Sequence, residues 1–185
     1  MIEEALELGK DAMETARDRF GRELGKVRAG RASPSVLDGV RVEAYGVQMA
    51  LRECASVSAP DARLLVVKPF DANNLGAVER AIIAANVGLN PSSDGVVLRL
   101  PIPPLTEERR RDLVKQVGRL AEEAKVAIRA ARRDANDMLK DAEKAKDISE
   151  DDLKRGLASI QDLTNEFVKQ VDEAMKKKEK EIMED

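Results

Sequence analysis

Residues 27–35, VRAGRASPS, are where an apolar helical pattern runs into Gly30 and Pro34, with an arginine on either side of the glycine. Three arrangements accommodate that string. It is a helix C-terminus, where basic residues complement the dipole and glycine takes the left-handed cap position. It is an anion-binding loop, with backbone N–H groups and two guanidiniums facing a phosphate. Or it is a joint between two bodies, and the flanking sequence has to separate these readings.

Upstream, Leu6, Gly9, Met13, Ala16, Phe20, Leu24 and Val27 step by three or four, the spacing of a core stripe on an α-helix. Downstream, a second stripe runs Leu113, Val117, Leu120, Ala124, Ile128, Ala131, Ala135, Met138 and Ala142. It opens with LTEERR, in which Thr106 can cap and Glu107 and Glu108 suit the positive end of the helix dipole. A third stripe follows as Leu153, Leu157, Ile160, Thr164, Phe167, Val171 and Ala174, behind Ser149 and Asp152 at capping-box spacing. Helices with such narrow seams bury them only against one another, which predicts a three-helix bundle with coiled-coil-like packing. The short KAKDI connection forces the second and third helices antiparallel.

Between the first two helices the period changes. VRVEAYGVQMALREC alternates in part as a strand does, ARLLVVKPF is a compact apolar run, and DGVVLRLPI is a further strand candidate after the turn NPSSDG. One short helix interrupts them, with Leu75, Val78 and Ile82 on one face, Asp71 as its cap and Gly88 as its stop. The pattern predicts an α+β chain in which a β/α/β domain, residues 31–105, is inserted into a bundle formed by residues 1–30 and 106–185. Such an insertion crosses between the bodies twice, at AGRASP and at LPIPPLT, so the two segments lie side by side. Gly30 permits unusual backbone angles there, and Pro103 and Pro104 keep the preceding residues out of the helix. These features describe a two-stranded hinge, or an ordinary pair of loops.

Composition excludes much. In 185 residues the charged types make up 36% against 2% aromatic, a balance that suits long helices and not a large globular core. Histidine is absent, which removes the commonest general base, zinc ligand and activator of Ser or Cys nucleophiles. The single cysteine, Cys54, has no partner for a disulfide and reads as a small buried apolar residue. No metal site, signal segment or membrane-length apolar run is evident, so a soluble cytoplasmic protein is expected, without a cofactor.

A formal net charge of −3 argues against a nucleic-acid partner, but it hides a division. Residues 106–146 hold 12 Lys and Arg against 9 Asp and Glu, whereas residues 147–185 hold 7 against 12. At 100° per residue from a seam centred on Ala135, Arg132 lies about 60° to one side, Lys125 about 80°, Arg129 about 120° and Arg133 about 160°, with Asn136 and Glu122 in the same sector. Such a stripe is a solvated helix face or a phosphate-contacting edge. Without interleaved aromatics, an RNA partner would be met through backbone and shape, not base stacking. The residues alone leave room for a helical adaptor that docks a protein partner on its coiled-coil faces.

Four strings, VRAGRASPSVLDGVRVEAYG, VGLNPSSDG, LPIPPLTEERRRDLVKQV and RRDANDMLKDAEKAKDISEDD, in this order and at these spacings, resemble the bacterial ribosome recycling factor family over essentially the whole chain. The resemblance implies an L-shaped two-domain molecule, monomeric, with no catalytic residues of its own. It implies binding to the post-termination ribosome, against large-subunit ribosomal RNA in the intersubunit region, and splitting into subunits with elongation factor G and GTP. By position it assigns RNA contact to Arg28, Arg31, Arg129, Arg132 and Arg133. The hinge falls on Ala29, Gly30, Arg31 and Ala32 and on Ile102, Pro103, Pro104, Leu105 and Thr106.

Overall fold

The computed structural model describes residues 1–27 and 30–184; Arg28, Ala29 and Asp185 lie outside the described residues. The chain forms two compact units, one being Gly30–Leu105 and the other the segment before it together with Thr106–Glu184. In chain order the elements are α1 (Ile2–Lys26), the hairpin β1 (Arg41–Ala44) and β2 (Val47–Ala50), a single turn α2 (Leu51–Cys54), β3 (Ala55–Asp61), β4 (Leu64–Pro69), α3 (Leu75–Ala84), β5 (Ser92–Ser93), β6 (Leu98–Pro101), α4 (Glu107–Lys144) and α5 (Glu150–Glu184).

The helical unit packs α4 antiparallel to both α1 and α5. Apolar side chains recur along one line of each helix and are buried from Ala5 to Leu24 on α1, Leu113 to Ala142 on α4 and Ile160 to Ile182 on α5, with Ala5, Ala135, Leu139 and Ile160 clustered where the three helices meet. Removing a side chain such as Ile128, Leu139 or Ile160 from water contributes about 1.5–3 kcal/mol each. Two α4 positions shift by one residue from the sequence-based stripe: Ala121 and Leu139 are buried, while Leu120 and Met138 are half-buried beside the seam. Periodicity rewards the larger side chain, but α4 is sandwiched by two helices, and its innermost line takes what the space allows. Space is tightest at Gly156, where an added Cβ would stand 2.9 Å from Leu139 Cδ1.

Both caps anticipated for the long helices form. The Thr106 hydroxyl oxygen accepts from Arg109 N–H at 3.1 Å, opening α4. At α5 the Asp152 N–H donates to Ser149 Oγ at 3.0 Å and the Ser149 N–H donates to Asp152 Oδ2 at 3.3 Å, a reciprocal capping box with Asp in place of the commoner Glu. The α4–α5 turn closes with Lys146 N–H on Glu143 O and Asp147 N–H on Ala142 O, both at 2.9 Å, the two bonds of a Schellman motif. Its left-handed residue is not glycine but Lys146, at φ 61°.

In the other unit the stretch 40–54 resolves into the β1–β2 hairpin, turned by Tyr45 and Gly46 at positive φ, followed by α2. A second antiparallel sheet has the order β3-β4-β6-β5. Its interior face, from Leu65 and Val67 on β4 and Leu98 and Leu100 on β6, meets Val78 and Ile82 of α3 and Val42 and Ala44 of β1 in one core. Strand β3 was not expected from the sequence, because it is a largely exposed edge strand whose alternation rests on the small Ala55 and the half-buried Val57 and runs into Pro60. Asp71 accepts from Asn73 N–H at 2.9 Å ahead of α3. That helix ends at Ala84, four residues before the expected Gly88, and Asn86 takes a positive φ of 49° just beyond it. Cys54 is buried, its thiol 3.4 Å from the Leu51 carbonyl.

The β5–β6 turn is organised by one carboxylate. Asp94 Oδ1 accepts from Val97 N–H at 2.8 Å and Val96 N–H at 2.9 Å, and Oδ2 accepts from Arg99 Nη1 at 2.6 Å. The two amides, Val97 first, and then Arg99 hold this carboxyl at about 2 against its ordinary 3.8.

Two outcomes follow from the turns. Lys146→Gly removes the left-handed strain of an L side chain, about 1 kcal/mol, and is expected to raise the melting temperature by about 2–4 °C. Asp94→Ala is expected to destabilise the Gly30–Leu105 unit at neutral pH. Because its folded-state pKa is depressed, the carboxylate's contribution is complete above its ordinary pKa and lost as pH falls towards 2. Denaturant melts of the two proteins should therefore converge over that interval.

Candidate functional site

The arginines singled out on the second long helix all lie on α4, an uninterrupted helix of 38 residues, and the packing treats them differently. Exposure follows the angle from the seam: Arg132 is half-buried, whereas Arg129 and Arg133 are exposed. The shaded side of this sector faces α5. Arg132 Nη1 donates to Gln161 Oε1 at 3.2 Å, and Gln161 Nε2 donates in turn to Asn165 Oδ1 at 2.8 Å. Arg129 and Arg133 make no ion pair or hydrogen bond with any described side chain, so their guanidinium donors face solvent.

Lys125 belongs to the bundle and not to the open edge. Its side chain is only 13% exposed, with Nζ 2.5 Å from Asp172 Oδ1 on α5 and 3.5 Å from Glu122 Oε1. Asp172 is the main cause of its raised pKa. Glu122, which weakens the stripe on paper, is thereby drawn to Lys125. Asn136, one turn on from Arg132, has its side-chain oxygen buried with no partner. Gln161, Asn165 and Asp172 were not singled out from the sequence. They sit on a helix that reads as merely acidic, and only the α4–α5 register brings them opposite the basic sector.

Arg31 is exposed and opens the Gly30–Leu105 unit, so it is not on the same body as the α4 arginines; Arg28 lies outside the described residues. Around it, the positions of the expected joint fall into distinct environments. Ala32 N–H donates to Ala62 O at 2.7 Å and Ile102 N–H donates to Arg63 O at 2.8 Å, so both chain crossings are fastened to the same β3–β4 turn. Asp61 braces that turn by accepting from Arg63 N–H at 2.8 Å. Ala32 and Ile102 also pack against the unit's core. Gly30 has φ 75°, and a Cβ there would stand 2.9 Å from Leu105 Cγ, so both backbone angle and space require glycine. Pro103 and Pro104 are exposed, and Thr106 is already committed as the cap of α4. Ala29 lies outside the described residues.

The arrangement offers a line of cationic donors on a rigid helix, suited to phosphate oxygens. Among the described residues no group of His, Cys, Asp and Glu is placed to hold a metal ion, and no helix is long and apolar enough to cross a membrane.

Comparison with known proteins gives one consistent answer. A family model described as "Ribosome recycling factor" matches residues 20–183. The ribosome-recycling factor of Halalkalibacterium halodurans is 51% identical over 184 residues, and that of Bacillus subtilis 52% identical over 184 residues, with 100% of each chain covered in both cases. Among structures, a solution structure of the ribosome recycling factor superposes with a TM-score of 0.75 at 35% identity, covering 100% of this chain and 98% of that one. A T. thermophilus ribosome recycling factor, placed with E. coli elongation factor G on the E. coli post-termination complex, gives 0.63 at 44% identity, with 99% of each chain covered. Full-length relatives at this level of identity, carrying the same two-unit fold, make this chain a member of the ribosome recycling factor family.

Proposed function

We propose that the protein binds the ribosome left on messenger RNA after termination and, together with elongation factor G and GTP hydrolysis, splits it into subunits, freeing messenger and transfer RNA. The helical unit supplies the grip: α4 presents Arg129, Arg132 and Arg133 to phosphates of large-subunit ribosomal RNA in the intersubunit region. By their place in the family's motif, Arg28 and Arg31 also contact ribosomal RNA. The observation carrying this reading is the pair of exposed, unpartnered guanidiniums of Arg129 and Arg133 beside the half-buried Arg132. Arg109 and Arg119 of α4 are likewise exposed without a side-chain partner, so what favours an external anion at Arg129 and Arg133 is their grouping with Arg132 within one sector of a rigid helix. The T. thermophilus relative on the post-termination complex supplies the setting and the partner factor.

Work on the ribosome is done through the joint and not through a catalytic group. Ala32 and Ile102 are bonded to the Ala62–Arg63 turn, and Thr106 is bonded to α4, so among the described residues reorientation concentrates in the few dihedrals of Gly30–Arg31 and Pro103–Leu105. Elongation factor G provides the force, and the protein acts in the cytoplasm as a monomer without a cofactor.

Sedimentation of post-termination ribosomes with the protein, elongation factor G and GTP is expected to convert whole ribosomes to subunits. Arg132→Ala should leave circular dichroism and melting nearly unchanged while weakening ribosome binding by about tenfold or more, the loss of a hydrogen bond to a charged group being on the order of 1.5–3 kcal/mol. In Arg129→Ala the slope of log affinity against log salt should become shallower by about one. Lys125→Ala, in contrast, should lower the melting temperature and leave the salt slope unaltered. An affinity independent of salt would point instead to docking on a protein surface.

A further inference from the structure

Of the three α4 arginines proposed to contact RNA, only Arg132 has its head group held, and, like Arg17 on α1, which donates to Gln170 Oε1 at 3.0 Å, it is held by a glutamine amide of α5. Residues 147–185 carry 12 acids against 7 bases, and α5 answers the neighbouring Lys125 with the carboxylate of Asp172. Opposite Arg132, however, α5 offers an amide. Gln161 Oε1 accepts from Nη1, and the amide's direction is fixed because its Nε2 is engaged by Asn165 Oδ1, one turn further along α5. A carboxylate at this position would also orient the guanidinium, but it would cancel the charge. The amide orients and leaves the full positive charge, together with the guanidinium's remaining donors, free for an anion.

We propose that Gln161, braced by Asn165, is a positioning residue that holds Arg132 in its RNA-contacting conformation before the ribosome is met. The inference rests on the reading of Arg132 as a phosphate contact. An unrestrained arginine must lose its rotamer freedom on binding, whereas one already held loses little. Arg129 and Arg133, without such a brace, give up that freedom only on the ribosome.

The test compares ribosome affinity and its salt dependence for the full-length protein, Gln161→Met, Gln161→Glu, Arg132→Ala and the Arg132→Ala/Gln161→Met double variant. Gln161→Met keeps the helix and removes the acceptor. It should weaken binding about three- to tenfold, as for one rotamer-rich side chain left to be immobilised, with the salt slope unchanged. Gln161→Glu keeps the brace and cancels the charge, so its slope should fall by about one, as in Arg132→Ala. In the double variant the Gln161→Met loss should vanish, because nothing remains to position. Side-chain 15N relaxation in the free protein gives an independent readout: Arg132 Nε should be more ordered than Arg129 Nε and should loosen in Gln161→Met. If Arg132→Ala binds as well as the unaltered protein, the phosphate contact itself is wrong and the inference falls with it. If Arg132→Ala is weak but Gln161→Met binds normally, or if its loss persists undiminished in the double variant, the contact stands and the positioning role is overturned.

Discussion

Everything in the helical unit depends on how α4 divides its circumference. A helix advances 100° per residue, so a single side chain's angle decides whether it faces two partner helices, one, or none. The line from Leu113 to Ala142 faces both and is buried. The adjoining sector faces α5 alone, where Lys125 and Arg132 find Asp172 and Gln161. Beyond it, Arg129 and Arg133 find nothing. Burial of one face is therefore what sets the spacing and direction of the cations on the next. The same rigidity that excludes water from the seam presents the guanidiniums without further ordering of the backbone.

The second constraint is the insertion. A unit that leaves a bundle and returns to it must bring two crossing segments together, and here both are hydrogen-bonded to the Ala62–Arg63 turn. This fastening makes Ala32 and Ile102 part of the sheet-containing unit, while Thr106 is part of α4. What lies between is short and chemically distinctive: a glycine that cannot be replaced without meeting Leu105, and two consecutive prolines. Prolines restrict the return segment's φ angles, which leaves few freely rotating backbone bonds between the fastened residues for the proposed joint.

Much of this was legible before any coordinates. Stripes of period 3.6 located three long helices because a shared core repeats the same demand every turn. Thr106, Ser149 and Asp152 announced their caps because capping is local, reaching only two or three residues along the chain. Asp71, in contrast, caps the short turn Ala72–Asn74, and α3 itself begins after Asn74 without a side-chain cap. What failed was non-local or carried no apolar signal. Strand β3 is an edge whose inward face places only Ala55 and Val57 against the core, too few and too small to stand out as a strand. Asn86 and Lys146 take left-handed conformations that the reading reserved for glycine. Ala121 displaced Leu120 because the line between two helices rewards fit over size.

At the candidate site, the lower exposure of Arg132 than of Arg129 and Arg133 follows from its smaller angle to the seam. The division of labour does not. Lys125 stands at nearly the same angle as Arg132, yet one is held by a carboxylate and the other by an amide, a difference fixed by the α4–α5 register. The central claim is that the open edge of α4 lies against ribosomal RNA, and short-arm photocrosslinking reads this directly. In a Cys54→Ala background, a crosslinker on Asp137→Cys, an exposed position one turn beyond Arg133, should attach to large-subunit ribosomal RNA in the post-termination complex. Attachment to ribosomal protein alone, or none, by a protein that still splits ribosomes would contradict the account.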